Sequence, residues 1–110
     1  VASLFFVNNS TRELLLCSNE SKWYRVPFGV GICGYCMETG ENVNIPDAYS
    51  DYRFNKNMDL KTGFRTRSIL CQPVRGMRGG GAIIGVIQML NKIGGDGTFD
   101  INDEDMLATF

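Results

Sequence analysis

Two features of this sequence have the residue types and spacing of a chemical site. Cys33-Gly-Tyr-Cys36 is a C-x-x-C pair, the spacing of a zinc knuckle or a dithiol redox centre. Gly29-Val-Gly31 heads an apolar segment and strips side chains from a helix entrance, so a ligand can approach the backbone there. The cysteine pair lacks what either chemistry requires. Zinc takes four ligands, and the other cysteines, Cys17 and Cys71, sit singly inside apolar runs rather than in a second knuckle. A redox pair needs an exposed helix N-terminus, whereas Cys33 and Cys36 share an apolar face with Ile32 and Met37. The chain contains no histidine. That closes Ser-His and Cys-His nucleophilic pairs, histidine-bound metal and haem, and histidine acid–base steps. Neither a catalytic residue nor a metal ligand is expected.

A single core must hold these residues, because 110 residues make one domain. Lys and Arg number 11 against 12 Asp and Glu, so there is no basic field to attract nucleic acid. The most apolar stretch, residues 82–90, is half the length of a membrane-spanning helix, and no signal peptide is read. The four cysteines lie among aliphatic neighbours without the spacing of a disulfide scaffold, which fits a reducing, cytoplasmic setting. Val1 in place of Met, and Phe110 within an apolar pattern, read as a piece cut from a longer protein at both ends.

Along the chain, residues 2–7 and 13–17 are apolar runs separated by Asn8-Asn9-Ser10-Thr11, which predicts a β-hairpin. A short third strand is expected within residues 23–28. Ile32, Cys33, Cys36 and Met37 fall at i, i+1, i+4 and i+5, one face of a helix ended by Gly40 as a left-handed cap. Residues 42–45 form a strand candidate stopped by Pro46. Residues 47–64 are polar with interspersed aromatics, the composition of a structured lid or binding loop, with a short helix near residues 54–60. Residues 68–74 and 83–90 carry the strongest strand signals, joined by a glycine-rich hairpin loop. Asn102 is read as the N-cap of a last helix that buries Met106, Leu107 and Phe110. The order of elements predicts an α+β fold around an antiparallel sheet.

Asn91-Lys92, then Phe99, then Asp103-Glu104 has the form N-K…F-x-x-x-D-E. It resembles the signature of GAF domains in cyclic-nucleotide phosphodiesterases and related adenylate cyclases. Three further blocks agree, in order: Gly31-Ile-Cys-Gly34 running on to Thr39-Gly40; Asn44-Ile-Pro-Asp-Ala-Tyr49 with Arg53-Phe54; and Thr62-Gly-Phe-Arg-Thr66 with Ser68-Ile-Leu-Cys71 and Pro73-Val74. The hairpin at residues 75–81 looks longer than the family's usual one. The family's opening helix is missing and its closing helix cut short, so the chain reads as a single, truncated GAF domain over residues 1–110.

The resemblance implies a six-stranded antiparallel sheet with helices on both faces and a ligand pocket between sheet and lid. It implies a regulatory domain that binds cyclic GMP or cyclic AMP and controls a catalytic domain in the same parent chain, a homodimeric phosphodiesterase. The alternative is a GAF copy that binds no nucleotide and serves dimerisation. Neither nucleic acid nor membrane is an expected partner, and no cofactor is expected besides the nucleotide ligand. The free N–H groups of Ile32 and Cys33 would face the phosphate, with Asn55 near the lid's phosphate contact. Ser3, Asp59, Thr62 and Thr66 fall at the family's contacts to the purine edge, and Gln88 at the pocket floor, where relatives often carry Glu. Phe54 would line the pocket or pack on the core. As ligand contacts, Thr62 and Thr66 would be dispensable for the stability of the empty domain. The signature would be structural: a Lys92–Asp103 pair clamping the sheet edge to the last helix, Phe99 packed beneath, and Asn91 ordering the loop at residues 93–98.

Overall fold

The computed structural model describes residues 2–17, 23–76 and 80–108, except the side chains of Cys17, Trp23, Met58, Lys61 and Thr62. Six strands form one antiparallel sheet: β1 (Ala2–Asn8), β2 (Glu13–Cys17), β3 (Trp23–Pro27), β4 (Val43–Ile45), β5 (Ile69–Arg75) and β6 (Ile83–Leu90). Their spatial order is β3-β2-β1-β6-β5-β4. The first hairpin turns where Asn8 Oδ1 accepts from the backbone N–H groups of Ser10 and Thr11, an Asx turn.

Because strand side chains alternate between faces, the sheet borders two cores, the second fed by β5 and β6. Phe5, Leu14, Ile69, Cys71 and Val86 point to one face. There they meet Ile32, Cys33 and Cys36 of helix α1 (Gly31–Thr39) and Ala48 at the start of the lid. Leu70 points to the other face, under Phe99 and under Leu107 from helix α3 (Ile101–Leu107), with Ile87 and Met89 beside them. The expected α+β architecture, with helices on both faces of a six-stranded sheet, is the one observed.

Helix α1 ends at Gly40, whose φ of 70° no β-carbon favours and whose N–H bonds Cys36 O at 2.9 Å. Gly34 is demanded by contact. A β-carbon there would stand 2.8 Å from Pro27 O and 3.0 Å from Gly29 N, so α1 can press against the end of β3 only as glycine.

Two local expectations are corrected. The lid helix, α2 (Asn57–Thr62), begins after residue 54 because Asn55 Oδ1 first accepts from Asn57 N in a turn. A 3-10 turn at Ala48–Ser50 precedes it. Helix α3 is capped by Asp100, not Asn102: Asp100 Oδ1 accepts from Asp103 N at 3.0 Å, and Asp100 N donates to Asp103 Oδ2 at 2.8 Å. Of the expected buried stripe, Leu107 is buried while Met106 is 69% exposed. Phe110 lies outside the described residues. No helix among the described residues is long and apolar enough to cross a membrane.

Candidate ligand pocket

On the α1 face of the sheet, register sets three polar or soft side chains in a row. Ser3 of β1 is directly opposite Gln88 of β6, and Gln88 is opposite Cys71 of β5. Helix α1 closes on this row from above. Cys33 Sγ donates to Gln88 Oε1 at 2.9 Å and lies 3.4 Å from Cys71 Sγ. The C-x-x-C pair is thus inside the core, and Cys33, Cys36 and Cys71 are buried free thiols. No group of metal-ligating side chains is found among the described residues.

The N-terminus of α1 is uncapped. Val30, at the N-cap, is extended and offers no side-chain bond, and no acidic residue stands in the first turn. Gly31 enters the helix at a φ of 68°, and a β-carbon there would lie 3.9 Å from Asn55 Cβ. The lid residue Asn55 is therefore beside the helix end at which the Ile32 and Cys33 amides stand. The side chains of Ile32 and Cys33 are buried, so these residues can offer a ligand their N–H groups.

The lid is held by its own polar lock. Asp59 Oδ1 accepts from Thr66 Oγ1 at 2.8 Å, and Oδ2 accepts from Thr66 N at 2.7 Å and Tyr49 OH at 2.8 Å. Asp59 is 8% exposed and Thr66 3%. Burial is the largest influence on the Asp59 carboxyl and opposes its charge. The donors from Thr66 and Tyr49, with the nearby Arg65 charge, outweigh it and leave the group below the ordinary carboxylate range. Arg65 lies over the Tyr49 ring at 4.2 Å, and Phe54 packs against Tyr49 at 5.3 Å between centroids. Of its two expected places, Phe54 takes the one on the core. Both Asp59 carboxylate oxygens and the Thr66 hydroxyl proton are engaged inside the lid. The Thr62 side chain lies outside the described residues.

A second tie was not anticipated from sequence. Arg53 grips Asp51 through two nitrogens, at 2.9 and 2.6 Å, and its guanidinium lies 4.5 Å over the Tyr35 ring of α1. The Asp51-x-Arg53 spacing was its only local signal.

The signature residues brace the far side. Lys92 Nζ lies 2.6 Å from Asp103 Oδ2 and 3.5 Å from Asp100 Oδ2. The Asp103 bond raises Lys92, and the Lys92 bond lowers Asp103, so each favours the other's charged form. Phe99 is buried below, and Asn44 Nδ2 donates to Phe99 O and Glu104 Oε2 at 2.9 and 3.3 Å. Asn91 does not order the following loop. Its Oδ1 accepts from Arg67 N at 2.6 Å and its Nδ2 donates to Arg65 O at 2.9 Å, which fixes the lid exit.

Two open clefts lie elsewhere. One of about 250 Å³ is bordered by Asn44, Asp47, Asp51 and Arg53. The other, about 340 Å³, lies between Gln72, Arg75 and the end of α3. Neither includes Ser3, Gln88, Ile32 or Cys33. Both lie away from the uncapped helix end and the Ser3–Gln88 row.

An antiparallel sheet with one helix per face and a lid docked on the first helix defines a compact α+β domain class. The GAF domain profile matches residues 2–110, and the chain belongs to that family. It is 43% identical over 110 residues to the dual 3',5'-cyclic-AMP and -GMP phosphodiesterase 11A of Takifugu rubripes, covering 100% of this chain and 12% of that protein. It is likewise 43% identical to the probable 3',5'-cyclic phosphodiesterase pde-5 of Caenorhabditis elegans, covering 99% of this chain and 14% of that protein. The chain therefore spans a small part of these relatives. Among solved structures, the GAF domain of a phosphoenolpyruvate-protein phosphotransferase from Coxiella burnetii superposes with a TM-score of 0.80 at 22% identity. That match covers 98% of this chain and 64% of that one, a likeness of fold.

Proposed function

We propose that this GAF domain is a regulatory module that binds a cyclic nucleotide, cyclic GMP or cyclic AMP, between the α1 N-terminus, the sheet and the lid. Occupancy would control a catalytic domain elsewhere in the same polypeptide, of cyclic-nucleotide phosphodiesterase type, in a cytoplasmic homodimer. The observation that carries this reading is the uncapped end of α1, with Asn55 over it, next to the Ser3–Gln88 row on the same face. A cyclic phosphate brings one negative charge. Free amides at a helix N-terminus attract it through their N–H groups and through the helix dipole. The Ser3 hydroxyl and Gln88 amide each offer donor and acceptor groups to a base or sugar. In this arrangement Asp59 and Thr66 act by holding the lid in place, and Asn55 is its polar residue beside the phosphate site. The phosphodiesterase relatives, whose names specify cyclic nucleotides, support the same ligand class.

One observation favours a second reading, a domain that takes no nucleotide and serves structural coupling: Asp59, Thr66 and the Gln88 carbonyl are already paired within the chain. Calorimetric titration with cyclic GMP, cyclic AMP and their non-cyclic 5'-monophosphates separates the two. Saturable heat with a cyclic form and none with the monophosphates supports the sensor. A folded sample giving no heat with either cyclic nucleotide supports the coupling module.

A further inference from the structure

We propose that Cys33 and Cys71 are a site of reversible oxidative cross-linking that fastens the first turn of α1 to strand β5 of the sheet. The two sulfurs come from elements 38 residues apart in sequence and touch at 3.4 Å. A disulfide bond is about 2.05 Å long, so they must close by roughly 1.4 Å, within reach of rotation about the two side chains. The third thiol, Cys36, also borders Cys71 and donates to Glu41 O at 3.2 Å.

The three thiols divide the reaction between them. Cys33 Sγ is the one directed at the candidate pocket, since its proton goes to the part-buried Gln88. Its hydrogen bond to Cys33 is the first influence that pushes the Cys71 thiol up, and burial adds to it. Cys36 is pushed up by its bond to Cys71 and by burial. All three thiols are buried, and the first oxidation is placed on Cys33 because its sulfur touches both Gln88, which is only part-buried, and Cys71. A hydroperoxide transfers one oxygen to Cys33, giving a sulfenic acid and releasing water from hydrogen peroxide. Cys71 sulfur then forms the S–S bond and displaces the sulfenic oxygen, which leaves as a second water with the Cys71 proton. Two thiols lose two electrons and two protons, and one peroxide is reduced to water.

The cross-link has a consequence for the pocket. Cys33 S–H is the group bonded to Gln88 Oε1, and oxidation removes that donor. The Gln88 amide is then free to turn, and the first turn of α1 can no longer shift against β5. The chemistry of the cross-link does not depend on the nucleotide reading.

The test is a peptide map of the 110-residue protein exposed to hydrogen peroxide, alkylated and cut with trypsin. Cys33 and Cys36 fall in residues 26–53, Cys71 in residues 68–75 and Cys17 in residues 13–22. The expected product joins 26–53 to 68–75, is lighter than the separate peptides by two hydrogens, and disappears on treatment with dithiothreitol. It forms in Cys36→Ser and is lost in Cys33→Ser and Cys71→Ser. Loss of two hydrogens within 26–53 alone, a link to 13–22, or oxygen addition at Cys33 without a link overturns the proposal. Fragmentation of the linked wild-type peptide places the bridge on Cys33 or Cys36 and decides this even where a serine variant fails to fold; a bridge from Cys36 overturns the proposal.

Discussion

Thr66→Val is the perturbation that most sharply separates a lid lock from a ligand contact. Thr66 lies buried, with its hydroxyl donating to Asp59 Oδ1 and its N–H to Asp59 Oδ2. Valine keeps the volume and the N–H and removes only the hydroxyl. A hydrogen bond to a charged group contributes about 1.5–3 kcal/mol. Asp59 keeps two of its three donors, and the apolar methyl offsets part of the loss, so the net cost is about 2 kcal/mol. For a domain of roughly 100 residues that lowers Tm by about 10 °C. Urea unfolding of both proteins at neutral and acidic pH is the assay. The Asp59 carboxyl is depressed in the fold, so its interactions stabilise above its unfolded pKa of about 3.9 and are lost as pH falls through its folded value. The Thr66→Val deficit should therefore shrink on acidification. A variant as stable as the wild type at neutral pH, or a deficit unchanged in acid, refutes the lock and restores Thr66 to the role of a free lid contact.

Three further outcomes follow from the packing. Gly34→Ala places a β-carbon against Pro27 O and Gly29 N, both backbone, and should cost about 1–3 kcal/mol in urea unfolding; a neutral result would mean that α1 is not pressed on β3. Lys92→Ala should lower Tm and speed amide exchange across α3, because Asp100 and Asp103 lose their shared cation; unchanged exchange there contradicts the clamp. Asn91→Gly keeps the positive φ of 55° while removing both side-chain bonds, so exchange at residues 65–68 should rise with β5 unaffected; equal exchange would mean that Asn91 does not hold the lid exit.

Elements governed by local pattern were legible in the sequence. Apolar runs bounded by turn formers placed the strands, the Ile32-Cys33-Cys36 stripe placed α1, and Gly40 placed its end, because each signal is local in the chain. The number of strands came from family resemblance, and their order only from the structure, since a strand's own sequence does not say which strands pair. The lid lock was not legible. Asp59 meets Thr66 and Tyr49, seven and ten residues away, in a polar segment without periodicity, where any of several hydroxyls could have been the donor. Asn91 reaches back 24 and 26 residues to the lid exit, while its sequence neighbours pointed to the next loop. Asp100-x-x-Asp103 was a visible capping pattern that the adjacent Asn102 obscured. Of the candidate pocket, Ser3 and Gln88 on one row and Asn55 beside Gly31 emerge only from register and from how the lid folds back.

Hydrogen exchange across residues 47–64 and α1, with and without saturating cyclic GMP or cyclic AMP, tests the central claim most directly. A nucleotide held between α1 and the lid should slow exchange in both segments together, with a Kd of about 10 μM or tighter from its roughly 22 heavy atoms. Saturable binding that leaves both segments unchanged, or protects only the clefts beside Arg53 or Arg75, would contradict it.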